Sequence, residues 1–215
     1  MRTFNLLVAV FALVQLARYA RPGLLFLAPV VRVEGVPEAE GRSTESLRLG
    51  ATLEELGFAL LGVLHQRAAL GAFTSEADVY ASSSGAAFAD IEEGGARGPR
   101  VQFFTPFGDG AAVLTAGFER PSIVTPRLEA AGMPEAPLED VLAAHELAVR
   151  RLSLTHGPPR VSMDLEARVA AARSFYAKEG RRDLRRGKAL PFALLIFALV
   201  LLASALKFLL LGAKT

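Results

Sequence analysis

The chain contains no cysteine and no tryptophan, and only three histidines in 215 residues. The missing thiol excludes a disulfide framework, thiolate zinc ligands, cysteine-ligated iron–sulfur clusters and a cysteine nucleophile. The histidines, His65, His145 and His156, do not cluster in the sequence. On one helix, His145 and His156 would lie about 16 Å apart, too far to share an ion. His145-Glu146 also lacks the second histidine of a zinc hydrolase motif. No metal and no cofactor is therefore expected. Charge of one sign is scarce as well: Lys+Arg total 24 against Asp+Glu 22, a formal net charge of +2. No nucleic-acid partner is expected on that balance.

Motifs for phosphate binding and for a serine nucleophile are missing too. Gly108-Asp109-Gly110 has Val113 where a dinucleotide loop needs a third glycine, and it falls between two strand patterns. Gly94-Gly95-Ala96-Arg97-Gly98 opens no helix. Both read as turns. Ser82-Ser83-Ser84 lacks the Gly-x-Ser-x-Gly elbow.

What the chain does have is apolar length. It is 52% hydrophobic with a mean hydropathy of +0.34, too apolar for a disordered chain, and the excess sits at the two ends. Residues Ala189 to Leu206 (ALPFALLIFALVLLASAL) carry no charge. Extended to Leu211, a helix there would be about 34 Å long, against a hydrocarbon core of about 30 Å. Lys207 lies near the far end, where its stem can stay in lipid while the ammonium reaches the headgroups. Pro191 fits the first turn of such a helix. Residues 189–211 thus read as a transmembrane helix. Arg181, Arg182, Arg185, Arg186 and Lys188 precede it and act as topology determinants, because basic flanks stay in the cytoplasm. The expectation is an inner-membrane protein with its main domain cytoplasmic. No aromatic residues interleave with these charges, so they read as headgroup contacts rather than a nucleic-acid groove.

At the other end, Phe4 to Ala17 (FNLLVAVFALVQLA) lies between Arg2 and the pair Arg18 and Arg21. A 14-residue helix reaches about 21 Å, short for a span. Arg18-Tyr19-Ala20 offers no small-x-small cleavage site, and Asn5 and Gln15 alone make a weak polar face for an interfacial helix. Residues 1–31 read as an N-terminal hydrophobic anchor or short span, and whether 4–17 cross the membrane, lie on it or are cleaved stays open.

Between the ends, residues 32–50 read as a linker, 51–160 as an α+β domain, and 161–188 as a juxtamembrane helix and basic flank. Thr52-Leu-Glu-Glu55 has the spacing of a capping box, with Gly57 as a stop. Apolar runs at Phe58–His65, Ala77–Ala81, Ala86–Ile91, Val101–Phe107 and Ala111–Phe118 predict an antiparallel β-meander of about five strands with flanking helices. A two-residue Asp109-Gly110 turn would set Phe107 opposite Ala112 and Phe103 opposite Ala116, giving one core face. Leu138, Val141, Leu142, His145, Val149 and Leu152 repeat at helical spacing, with acids at the start and Gly157-Pro158-Pro159 at the stop. Ser162 can cap a second helix, broken at Gly180 and Gly187. Asp90, Asp109, Thr105 and Thr115 form a candidate turn and surface site, and Asp78 and Asp90 could meet across their hairpin.

The order Leu56-Gly57-Phe58, Tyr80-Ala81, Ala89-Asp90-Ile91 and Phe104-Thr105-x-Phe107-x-Asp109-Gly110, with Thr115, resembles a pattern in uncharacterised bacterial membrane-anchored proteins, over about residues 52–120. The resemblance implies no activity and no functional residue. The sequence therefore predicts a membrane-anchored, non-catalytic binding or adaptor protein, or an accessory subunit of a membrane complex. Its partners would be the lipid bilayer and another membrane or cytoplasmic protein. The alternative is a small-molecule sensor or a hydrolase-type enzyme using the sheet carboxylates. If binding is the role, substitutions at Asp90 and Asp109 should leave function largely intact.

Overall fold

The computed structural model describes residues 2–37, 42–94 and 98–211. The middle of the Gly94–Gly98 turn, part of the expected linker and the tail after 211 lie outside them. The elements are α1 (Arg2–Leu27), β1 (Val31–Val36), α2 (Thr44–Glu55), β2 (Phe58–Ala68), β3 (Thr74–Ser82), β4 (Phe88–Glu92), β5 (Arg100–Pro106), β6 (Ala112–Ala116), β7 (Ile123–Thr125), β8 (Leu128–Gly132), α3 (Leu138–His156), α4 (Leu165–Ala177) and α5 (Glu179–Leu211). They form two compact units. One comprises Val31–Arg67 and Thr74–Gly180; the other comprises Met1–Val30, Ala68–Phe73 and Arg181–Thr215.

The first unit is built on one mixed sheet of eight strands, in the order β1-β2-β3-β4-β5-β6-β8-β7. From β2 to β6 it is the expected antiparallel meander. The expected count of about five strands is corrected to eight, and β8 joins β6 in parallel. The three extra strands were hidden for local reasons. β7 has three residues and β8 ends in glycine. β1 lies in the Gly- and Pro-containing stretch read as linker, which also holds most of α2. That helix starts earlier than expected, because the cap is Ser43, whose Oγ accepts the Ser46 N–H at 3.1 Å. Thr52 sits instead in the last turns, donating its hydroxyl to the Arg48 carbonyl. Gly57, with φ +82°, does stop the helix.

The β5–β6 register also differs. Phe104 pairs with Leu114 and Phe103 with Thr115, one residue away from the expectation. The reason is a three-residue loop, Gly108-Asp109-Gly110. Gly110 N–H donates to the Phe107 carbonyl, and φ at Gly110 is +92°, a left-handed position that glycine fills freely. A one-residue slip reverses every side chain. Alternation could not reveal it, because both faces of the sheet are buried: every residue of β6 is. On one face Phe88, Phe104, Leu114 and Val79 pack with Val169, Ala172 and Phe175 of α4. On the other, Leu53 of α2 and Val141 of α3 cover Tyr80, Ile91 and Phe103, while Ala148 and Val149 cover Phe107 and Val113.

α4 is capped by Asp164, whose Oδ1 accepts the Glu166 N–H at 3.1 Å, rather than by Ser162. The break before α5 falls at Lys178 (φ −124°, ψ −98°), not at Gly180 or Gly187. Helix continuity through both glycines also leaves Pro191 inside α5 rather than in a first turn.

In the second unit α1 runs unbroken through Arg18, Arg21 and Pro22, so the expected end at Ala17 is corrected. Arg, Tyr and Ala are adequate helix formers, and charge does not stop a helix. Both α1 over Thr3–Leu27 and α5 over Glu179–Leu210 are long and apolar enough to cross a membrane. They meet in antiparallel sense. Phe26 stacks on Phe192 with ring centroids 4.6 Å apart, and a Cβ on Gly23 would lie 3.0 Å from Leu195 Cδ2. Small residues, Ala9, Ala12, Ala198 and Ala205, are buried beside them, as close helix approach requires. Large apolar side chains, among them Phe4, Leu7, Phe11, Phe197, Val200 and Phe208, point outward and stay more than half exposed.

Candidate functional site

The four residues expected to share a turn and surface site are not brought together. Thr105 and Thr115 point to the α3 face of the sheet and are buried. His145, fully buried on α3, lies between them: Nε2 is 2.8 Å from Thr105 Oγ1 and Nδ1 is 3.0 Å from Thr115 Oγ1. The Thr105 hydroxyl donates to the Ala86 carbonyl at 2.7 Å. It therefore accepts from His145 Nε2–H, and Nδ1 accepts the Thr115 hydroxyl proton. All three groups are satisfied with a neutral ring. Burial pushes the His145 pKa down to about 3. The helical spacing puts His145 on the apolar face of α3, and the structure buries it completely between two threonines that face inward from the sheet.

Asp90 is on the opposite face. Val79 pairs with Asp90 and Asp78 with Ile91, so Asp78 and Asp90 project to opposite sides and do not meet. Asp90 takes a two-pronged ion pair from Arg168 of α4, Nε to Oδ1 at 3.2 Å and Nη2 to Oδ2 at 2.5 Å. Both side chains are less than a tenth exposed. The guanidinium also lies over the rings of Phe104 (4.5 Å) and Phe88 (5.6 Å). This buried arginine was not expected from sequence, where it reads as one charge on an amphipathic helix. Asp78 pairs with Arg42 at 2.8 Å. Its carboxyl is raised above the ordinary range by burial, with Arg42 acting in the opposite direction.

Asp109 stays in the loop. Its Oδ1 accepts the Ala111 N–H at 3.0 Å and its Oδ2 is 2.9 Å from His156 Nδ1. The Ala111 N–H, followed by His156, holds this carboxyl below its usual range. His156 Nε2 donates to the Pro126 carbonyl at 2.7 Å. The last turn of α3 is thereby tied to two loops. The basic residues Arg181, Arg182, Arg185 and Arg186 are exposed and Lys188 is half-buried on the first turns of α5.

The concave feature beside α4 is a cavity of about 460 Å³, within the range of small-ligand sites. Phe104, Phe107, Ala167, Ala171 and Phe175 line it, and Arg160 and the Gly108–Gly110 loop form its polar side. Arg160 Nε would be 2.8 Å from a Cβ on Gly108, and Lys178 Nζ 2.9 Å from one on Gly110. Two cations thus lie over two glycines at an apolar floor. A second cavity, about 610 Å³, lies beside the start of α3, between Arg100, Phe118 and Glu135. Among the described residues no group of three or more His, Asp or Glu side chains could hold a metal ion. Asp78 and Asp90 have cationic partners and His145 has two hydroxyls. The arrangement can bind and orient, and among these described residues no free nucleophile stands beside a free base. No protein-family model, no curated protein and no solved structure matches the chain.

Proposed function

We propose that the protein is a membrane-anchored, non-catalytic binding protein, an accessory subunit of a membrane complex. The carrying observation is the pair of antiparallel apolar helices, which bury Ala9, Ala12, Ala198 and Ala205 while many of their large apolar side chains stay exposed. A water-soluble fold would cover such side chains; lipid covers them without further protein. In this reading α1 and α5 are both spans, and the chain of the first unit leaves and re-enters at one end of the pair. That end carries Arg181, Arg182, Arg185, Arg186 and Lys188, a basic flank that supports a cytoplasmic first unit at the inner membrane. The pairing of Asp90 with Arg168, of Asp78 with Arg42 and of His145 with two threonines inside the fold supports a binding role.

The test has two arms on the full chain. Protease added to intact cells is expected to spare residues 31–180. Extraction in mild detergent is expected to give a species heavier than the 22.9 kDa chain with its micelle. Digestion from outside, or a lone chain in the detergent, would refute the respective half of the proposal.

The cavity beside α4 favours a second reading, a sensor for a small anion with an apolar body. An apolar floor under Arg160, with Lys178 over the neighbouring Gly110, suits a carboxylate on a short aliphatic chain. Octanoate titrated into the detergent-solubilised chain is expected to bind, with affinity reduced about tenfold in Arg160→Ala, as for one charge-assisted contact. Equal binding by both proteins, or none, would remove this reading.

A further inference from the structure

We propose that the hairpin tip between β2 and β3, Ala68–Phe73, is a third membrane contact that enters the interfacial layer of the bilayer with Leu70 as its leading side chain. The inference rests on the reading of α1 and α5 as spans. The tip reads Ala-Ala-Leu-Gly-Ala-Phe, six residues without one polar side chain. A solvent-facing hairpin end would normally carry Asn, Asp or Ser. Leu70 is 59% exposed and adopts φ +60°, a left-handed conformation unfavourable for a bulky residue. Gly71 follows with φ +63°, so the tip has two successive left-handed positions and the leading one is filled by a bulky apolar residue.

The tip belongs to the same compact unit as α1 and α5 and packs against α1. Ala69 N–H donates to the Val30 carbonyl at 2.8 Å, just past the end of α1. This is the end where Phe26 meets Phe192, a few residues from the basic start of α5. Exposed apolar residues continue from the tip into the helix, through Leu27 and Val30. Arg67 and Arg32 are exposed at the tip's flanks. Guanidinium groups around an apolar tip match the chemistry of an anionic headgroup layer over acyl chains. A protein groove would need to be apolar and ringed by acids, and α1, β1, the tip and the apolar part of α5 contribute only Glu34. The same elements of a second copy therefore supply little counter-charge.

The absence of cysteine makes the test direct. Leu70→Cys, Leu199→Cys in α5 and Leu154→Cys at an exposed site of α3 are labelled singly with an environment-sensitive dye. Each full-length chain is reconstituted into phosphatidylcholine–phosphatidylglycerol vesicles, with or without spin-labelled lipid. Dye at 70 is expected to emit to the blue of dye at 154 and to lose about half its emission to a shallow spin label, as for a side chain 5–10 Å into the interface. Dye at 199 reports the span itself. Quenching at 199 with none at 70 overturns the tip contact and leaves the spans standing; no quenching at 199 overturns both. Phe73→Cys, labelled in the same way, is expected to be quenched by the shallow spin label and to lose most of that quenching when combined with Leu70→Gly, which suits φ +60° and preserves the hairpin. Unchanged quenching at 73 would mean that Leu70 does not lead the contact.

Discussion

Replacing Asp90 by alanine is expected to destabilise the first unit by about 3–5 kcal/mol, the loss seen when one partner of a buried ion pair is removed. The guanidinium of Arg168 would remain between Phe88 and Phe104 with no anion facing it. The penalty comes from the uncompensated charge, not from the strength of the pair. Replacing both partners with apolar residues of similar volume, as in Asp90→Leu with Arg168→Met, is therefore expected to recover most of the stability. Asp109→Ala, at a half-exposed loop site, is expected to cost no more than about 1 kcal/mol. Urea unfolding of the full chain in detergent, followed by near-ultraviolet circular dichroism, measures all three. A cost below about 1 kcal/mol for Asp90→Ala would show that Arg168 finds water or another partner. The result also corrects an inference from sequence. Loss of function on changing Asp90 cannot distinguish chemistry from binding, because this carboxylate holds α4 on the sheet.

What the sequence disclosed and what it concealed follow from periodicity. The apolar run after Ala189 and the strands Phe58–His65 and Ala77–Ala81 are legible because apolar length is itself the signal. α3 is legible because only one of its faces is buried, so Val141, His145, Ala148 and Val149 recur at helical spacing. The register of β5 and β6 is not legible, because two buried faces remove the alternation that would report it. The turn then decides, and a two-residue and a three-residue loop both fit Gly108-Asp109-Gly110. Asp90 and Arg168 are 78 positions apart, and no local pattern links them. The same holds for His145, whose two threonine partners come from different strands. α1 shows the reverse error: Arg18 and Arg21 look like a boundary when charge is read as the edge of a span, yet backbone geometry runs straight through them.

The pairing of His145 with two threonines makes the stability of the first unit depend on pH from about 6.5 downward, and the upper part of that window lies above the ordinary carboxylate range. His145 is neutral in the fold, with its pKa pushed down to about 3 from 6.5. Unfolded, it takes up a proton as the pH falls through about 6.5, whereas the folded chain resists until about 3. The unfolded state then binds more protons, so stability falls with falling pH across that window and is level above it. Integrated to pH 5, the loss is about 2 kcal/mol, and across the whole window up to about 5 kcal/mol. Glu93 and Asp109, whose carboxyls lie below their usual range, lower stability only as the pH falls into and below that range, and Asp78, whose carboxyl is raised by burial, acts in the opposite direction. His145→Gln keeps a donor and an acceptor between Thr105 and Thr115 but cannot titrate. Thermal or urea unfolding in detergent between pH 7.5 and pH 5 is expected to show the loss in the parent chain and a nearly flat profile in His145→Gln. Parallel profiles in the two chains would mean that the ring gains a proton without leaving the fold, and that the two hydroxyls do not hold it neutral.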